Sequence, residues 1–271
     1  MIGYDMKHIY NLEIFASKCI IEILMNDLLI FRADAKNGTS FTYPLNTELV
    51  GKNTLKIILY PVLLDSGLPS TPNDIMVEGA IKRYSIGDFT GPECGDLLST
   101  IDIDDIKLSI DPESVSLKNL ADMFPLNKSF QFENDEISFK DRIIDGTVID
   151  NKDSIINYSF KILDIIKRQD LEAFWLEYKP KLDDYAIAYP HEFPDPKAWF
   201  VNFITTDFFP GGPNTEFKRD NIGLRSWCGG RIWEVFIKPY TPFFTNKGLD
   251  GDINSIEMFV GLVDGQLKII R

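Results

Sequence analysis

The side chains that could act as nucleophiles or metal ligands are few. The chain contains three cysteines, Cys19, Cys94 and Cys228, and two histidines, His8 and His191, all widely separated in sequence. A zinc site needs closely spaced histidine or cysteine ligands, a serine hydrolase needs a Gly-x-Ser-x-Gly turn, and neither pattern occurs. The glycine-rich sequences that bind nucleotide phosphates do not occur either. The sequence therefore predicts no metal and no cofactor.

Acidic side chains are concentrated between residues 88 and 113, where Lys107 is the only basic residue. The acidic residues of this run are Asp88, Glu93, Asp96, Asp102, Asp104, Asp105, Asp111 and Glu113. Such a run is either a solvated surface or a docking surface, because a strong negative field speeds the association of a basic protein. The six residues from Asp88 to Asp105 are the candidate binding residues.

The composition narrows the classes of partner. The 271 residues include 28 basic and 41 acidic side chains, a net charge of -13, and residues 1–150 hold 24 of the acidic but only 13 of the basic ones. A chain this acidic repels phosphate groups and anionic lipids, so nucleic acid and membrane are not expected partners. Three widely spaced cysteines favour free thiols, and no long apolar segment or leader pattern occurs, so we expect a cytoplasmic protein. The sequence leaves the oligomeric state open.

Short strands separated by turns must position the acidic run. Strand-like segments and turn signals recur through residues 1–148, as at Asn26-Asp27, a pair that tolerates the positive φ of a hairpin turn. One predicted strand, Leu98–Ile110, changes the parity of its apolar positions, which predicts a β-bulge near Asp104-Asp105. We therefore predict an all-β antiparallel sandwich over residues 1–148.

The pattern becomes helical near Asp150. Apolar residues from Ile155 to Ile166 fall on one helical stripe, and a second predicted helix begins near Asp170 and ends before Pro180. A third element covers residues 196–206. Four strands then follow, paired through turns at Gly229-Gly230 and Asp264-Gly265. Helices followed by antiparallel strands predict a separate α+β domain over residues 151–271.

The helix pair Ile155–Lys167 and Asp170–Tyr178, with its short link, and the terminal hairpin Phe259–Ile269 resemble the nuclear-transport-factor-two-like (SnoaL-like) family. The resemblance implies a cone-shaped, cystatin-like α+β fold for the second domain. Such cones serve as isomerases, dehydratases, carriers or binding modules, so the resemblance implies a fold more than a function. The first domain resembles immunoglobulin-like sandwiches in its strand pattern alone.

The resemblance to the cone family also implies a pocket in the second domain. The aromatic residues expected to line it are Trp175, Tyr178, Trp199, Trp227 and Trp233. The residues expected to act there, if the protein is an enzyme, are His191, Arg225 and Glu234, with Asp183, Asp184 or Asp195 as partners of the histidine. In the alternative interpretation the aromatic rings fill the cone and His191 is exposed, because Pro190 and Pro194 favour a loop.

Two functions agree with these observations. The first is non-enzymatic protein binding by an acidic surface, for instance in an immunity protein that neutralises a basic toxin. The second is a small-molecule lyase or isomerase that uses the cone pocket. An open pocket with converging His191, Arg225 or a carboxylate would favour the enzyme. A flat or concave acidic surface would favour the binding protein.

Overall fold

The chain forms two compact, β-rich units, Met1–Phe139 and Lys140–Arg271. The structure is a computed structural model that describes residues 7–88, 90–91, 93–105, 120–247 and 253–271. All strand pairings in these ranges are antiparallel. Among the same residues, no helix has the length and apolar character needed to cross a membrane.

Two four-stranded sheets make up the described part of the first unit, in the orders β4-β1-β6-β7 and β3-β2-β5-β8. The strands are β1 His8–Ser17, β2 Cys19–Met25, β3 Leu28–Asp34, β4 Thr39–Pro44, β5 Lys52–Pro61, β6 Met76–Ser85, β7 Asp96–Asp102 and β8 Leu126–Glu133. A short 3-10 helix spans Asn46–Glu48 and a one-turn helix, α1, spans Leu120–Met123.

Alternation of side chains along the strands builds the core of the first unit. On β1, Leu12 and Ile14 are buried while Glu13 and Phe15 lie on the opposite face, as the period of two requires. Rings join the two sheets, since Phe31 of β3 stacks on Phe41 of β4. The predicted hairpin between β2 and β3 is confirmed, because Asn26 and Asp27 both have positive φ.

The predicted strand Leu98–Ile110 is wrong at residues 103–105. β7 ends at Asp102, and Asp104 and Asp105 are helical. The bulge lies instead at Leu98, because the partners of β7 on β6 shift between Ile81 and Lys82. Asp104 and Asp105 are the first helical residues after β7, a position at which carboxylates are favoured. Residues 106–119, which include Lys107, Asp111 and Glu113 of the predicted run, lie outside the described residues.

The second unit has helices first and strands afterwards. Its helices are α2 Lys140–Ile143, α3 Lys152–Lys167, α4 Leu171–Ala188 and α5 Pro196–Phe203, which continues into a π-helical turn at Ile204–Phe208. Its strands are β9 Ile222–Trp227, β10 Ile232–Ile237, β11 Thr241–Pro242, β12 Phe244–Lys247, β13 Ile253–Ile256, β14 Met258–Val263 and β15 Gln266–Ile269. The larger sheet has the order β11-β10-β14-β15 with β9 paired to β10, and β12 pairs with β13. Short 3-10 helices span Arg219–Asn221 and Cys228–Gly230.

Side-chain caps and one apolar stripe define the two long helices. The side chains of Asn151 and Asp170 accept hydrogen bonds from the backbone at the starts of α3 and α4, which satisfies N–H groups that have no partner within a helix. The predicted stripe is confirmed, since Ile155, Ile162 and Ile166 are all buried.

The predicted end of the second helix before Pro180 is wrong. α4 continues through Pro180 to Ala188. A proline lacks the N–H that would bond the carbonyl four residues earlier, and here the Lys268 ammonium donates to that carbonyl, of Leu176, at 3.2 Å. The Pro180 carbonyl in turn accepts from Arg142 at 3.0 Å. A strand lysine therefore supplies the hydrogen bond that the proline removes.

Candidate functional site

A groove of about 960 Å³ crosses the outer face of the first unit's β4-β1-β6-β7 sheet. Its lining is Glu13, Ile14, Phe15, Ser40, Phe41, Thr42, Glu78, Gly79, Ala80, Lys82, Thr90 and Gly91. The outward positions of three neighbouring strands supply the floor. The loop between β6 and β7, which contains Asp88 and Glu93, supplies Thr90 and Gly91. The volume is within the range of ordinary ligand sites.

Both oxygens of the Glu13 carboxylate are held at the groove floor. The Tyr84 hydroxyl donates to one oxygen, and the Lys82 ammonium lies 2.9 Å from the other. Burial and the bond to Glu13 raise the pKa of Tyr84 well above its ordinary value, so the phenol keeps its proton and remains a donor. These contacts hold the Glu13 carboxylate in one position on the surface of the sheet. Without them the glutamate side chain would be free to change its conformation.

β1 and β6 approach each other closely at Gly79. A Cβ atom at Gly79 would overlap the carbonyl oxygen of Glu13 and lie 2.9 Å from the Ile14 Cα. The neighbouring outward position is Ala80. The backbone of β1 therefore lies closer to Gly79 than it could lie to a residue with a side chain at this position.

Two carboxylates stand opposite each other at the side of the groove. Glu78 of β6 pairs with Asp102 of β7 in the strand register, and like charges in such a position repel. The Lys128 ammonium lies 3.2 Å from the Asp102 carboxylate and 2.7 Å from the Asp105 carboxylate. Burial alone would lower the pKa of Lys128, but these two carboxylates raise it, so the lysine stays charged.

The remaining predicted acidic residues in the described part of the chain are all exposed. Asp96 forms an ion pair with Arg83 at 2.8 Å. Asp88, Glu93 and Asp104 are exposed. Ion pairs thus place Arg83 and Lys128 beside the acidic run. The strand register adds Glu13 and Glu78 to the acidic surface.

The sequence reasoning missed all four of these residues. Glu13 and Glu78 are the only acidic residues of their strands, so no local concentration of acidic charge marks them. A signal was nevertheless present for Glu13, since it alternates with the apolar Leu12 and Ile14 and must face away from the core.

The aromatic residues predicted for the cone pocket occupy three different environments. Trp175 and Tyr178 are buried and pack on Phe200 at centroid distances of 5.5 and 5.4 Å. Trp233 belongs to the same core. Trp199 is 42% exposed and stacks on Phe203.

Trp227 faces away from Trp233. In the register of β9 and β10, Trp227 pairs with Ile232 and Ser226 pairs with Trp233, and residues adjacent on a strand point to opposite faces. Around Phe174, the rings of Tyr178, Phe200, Phe208 and Phe244 lie 5.4–6.3 Å away. These rings belong to the hydrophobic core of the second unit.

Two of the three predicted catalytic residues are neighbours. Arg225 and Glu234 pair across β9 and β10, the Arg225 guanidinium lies 4.3 Å from the Trp227 ring centroid, and the Trp227 indole donates to Glu234 at 3.1 Å. His191 is exposed in the turn that follows α4. Among the described residues, no group of three or more histidine, cysteine and carboxylate side chains is placed to hold a metal ion.

The chain matches no protein-family model, and neither the curated proteins nor the solved structures contain a match to it.

Proposed function

We propose that the protein is a non-enzymatic binding protein whose first unit docks a basic protein segment along this groove. The observation that supports it is the placement of Glu13 and Glu78 on the groove floor, beside Asp102 and below the loop that contains Asp88 and Glu93. A groove with fixed carboxylates selects lysine and arginine side chains, which can reach the floor with their ammonium or guanidinium groups.

The charge distribution supports a basic partner in a second way. Residues 1–150 hold 24 of the 41 acidic side chains, so their long-range field attracts cations from beyond contact distance and speeds encounter. An immunity protein that neutralises a basic toxin is one biological form of this function, and we propose it on the analogy that such a task needs an acidic surface and no catalytic motif.

The test uses a fluorescent oligolysine peptide, with an oligoglutamate peptide as its charge control. Fluorescence anisotropy measures binding as salt is raised from low to physiological strength. We expect oligolysine to bind and its affinity to fall with salt, since exposed charges are screened over about 8 Å at physiological salt. Glu78→Lys should lower the affinity at low salt about tenfold, the equivalent of about 1.4 kcal/mol.

The matched control is Glu192→Lys, which makes the same change of net charge at an exposed position in the second unit. An equal loss of affinity in both variants would mean that net charge alone attracts the peptide. Equal binding of oligolysine and oligoglutamate would contradict the proposal altogether. Reversal of Asp102, Asp104 and Asp105 together should slow association more than it speeds dissociation, because the charges act mainly on encounter.

We also propose the fold families and the compartment that the sequence suggests. Two helices followed by antiparallel strands, with a final hairpin whose turn residues Asp264 and Gly265 have positive φ, support a SnoaL-like cone in the second unit. Two antiparallel sheets joined by ring contacts support an immunoglobulin-like sandwich in the first. Cys19, Cys94 and Cys228 form no disulfide, which supports a cytoplasmic location.

A further inference from the structure

A small cavity lies in the second unit between two arginine side chains. Its lining is Arg142, Gly146, Thr147, Arg231, Gly261, Leu262 and Ile270. The space open to the centre of a water-sized sphere is about 10 Å³, which is about the room that one water molecule needs. A space of this size suits a single small particle.

Each of the two guanidinium groups donates hydrogen bonds to the protein with only some of its N–H groups. Arg231 donates from Nε to the Gly146 carbonyl at 2.9 Å and from Nη1 to the Cys228 carbonyl at 2.8 Å. Arg142 donates from Nη1 to the Pro180 carbonyl and to Asp184. A guanidinium has five N–H donors, and the others on both residues have no acceptor in the described parts of the chain.

The charges at this place favour an anion over water. Asp184 is 1% exposed, and one of its oxygens accepts from both Arg142 at 2.8 Å and Arg271 at 2.7 Å. Arg142 therefore shares the Asp184 carboxylate with Arg271. Arg231 has only neutral carbonyl partners. Partly buried positive charge is stabilised by an opposite charge in contact with it.

From these contacts we infer that the cavity binds one monatomic anion, chloride, between Arg142 and Arg231. The ion accepts hydrogen bonds from the unused guanidinium donors of both residues. It links Arg142 of α2 to Arg231 just before β10, and so its binding stabilises the second unit.

Crystals grown in bromide test the site directly, because bromide replaces chloride and scatters anomalously. We expect an anomalous peak in the cavity within hydrogen-bond distance of both arginines. A water molecule in the cavity with no bromide peak there, while bromide binds elsewhere on the surface, would overturn the inference. This experiment uses the unmodified full chain, so it does not depend on the folding of any variant.

Thermal unfolding in sodium chloride and in sodium gluconate at equal ionic strength is the second test. Gluconate is too large for the cavity. Chloride at ten times its Kd should lower the ratio of unfolded to folded protein about elevenfold, and gluconate should not. Arg231→Gln should abolish the difference between the two salts, and Arg231→Lys should reduce it.

Arg219→Gln is the matched control. Arg219 also makes two hydrogen bonds, to Asn157 and Asp153, but on an exposed surface of the same unit. The chloride-specific difference should persist in this variant. An equal response of the unmodified protein to the two salts, or a loss of the difference in Arg219→Gln as well, would contradict a site between Arg142 and Arg231. A result against the chloride site would not count against the proposed function of the acidic groove, because that groove lies in the other unit.

Discussion

The clearest test of the second unit's architecture is the carboxylate of Glu177 on α4. It is 5% exposed. It accepts from the Tyr158 hydroxyl at 2.9 Å and from the Lys161 ammonium at 2.7 Å, and the Lys268 ammonium lies 3.3 Å away. One side chain thus joins α3, α4 and β15. Burial alone would raise the pKa of Glu177, but the bonds from Lys161 and Tyr158 and the charge of Lys268 hold it below its usual value.

Glu177→Gln keeps the shape of the side chain and removes its charge. A hydrogen bond to a charged group contributes about 1.5–3 kcal/mol. Lys161 is 56% exposed, so solvent reduces its share, and the more buried Lys268 and Tyr158 carry most of the effect. We expect the free energy of unfolding to fall by about 2 kcal/mol at neutral pH.

The matched control for that change lies on the same helix. Glu172 is exposed and pairs with Lys197 at 2.9 Å, and Glu172→Gln should cost about 0.5 kcal/mol or less, as for other exposed pairs. Urea unfolding of both variants and of the unmodified protein gives the three free energies. Equal losses in the two variants would refute the reasoning.

The pH dependence of Glu177→Gln gives an independent check. The folded-state pKa of Glu177 is lowered, so its contribution is fully present above the unfolded value, near 4.3, and is lost as the pH falls through the folded value. The difference between the unmodified protein and Glu177→Gln should therefore shrink below about pH 4. A difference that stays constant down to the acid limit of folding would contradict the lowered pKa of Glu177, because it would mean that this carboxyl group has the same pKa in the folded and unfolded chains.

Three further predictions concern the sheet, the thiols and the tryptophans. Gly79→Ala should lower the free energy of unfolding by about 3 kcal/mol, because the added methyl group meets the backbone of β1, whereas Ala80→Ser at the outward position should change it little in the same urea assay. In the native protein iodoacetamide should label the exposed Cys94 and spare Cys19, whose pKa burial raises to about 12; labelling of both at one rate would contradict the fold. Acrylamide should quench a fluorescence component that disappears in Trp199→Phe, since this indole is 42% exposed.

Helix content was predictable where the period and the caps agreed. The stripe from Ile155 to Ile166 lies within one stretch of sequence, and the structure confirms it. The capping side chains Asn151 and Asp170 are equally local signals. The continuation through Pro180 was not predictable, because the group that satisfies the freed carbonyl, Lys268, lies on a distant strand. A local rule fails when a distant side chain removes the penalty on which the rule rests.

The opposite orientation of Trp227 and Trp233 could have been derived from the sequence. A hairpin turn at Gly229-Gly230 places Trp227 opposite Ile232 and therefore on the other face from Trp233, which is the register found. Which of the two faces the helices was not predictable, because that depends on how the sheet packs against α3, α4 and α5. The acidic groove was still harder to predict from the sequence, because its floor depends on which residues of three strands lie side by side in the sheet.

Replacement of Glu78, which lies opposite Asp102, should change the stability of the protein and its binding of oligolysine in opposite directions. Directly opposed like charges cost about 0.2–1 kcal/mol, and Lys128 offsets only the Asp102 side. Glu78→Gln should therefore raise the free energy of unfolding by about 0.2–1 kcal/mol at low salt, and by less at high salt where the repulsion is screened.

The same variant should bind oligolysine more weakly, because it removes a carboxylate from the groove. Urea unfolding and peptide anisotropy on one preparation measure both effects. Opposite signs are the expected result for a residue that contributes to a basic partner's site at a cost to the sheet. A variant that loses stability, or that binds oligolysine as tightly as the unmodified protein, would show that Glu78 is only part of a solvated surface.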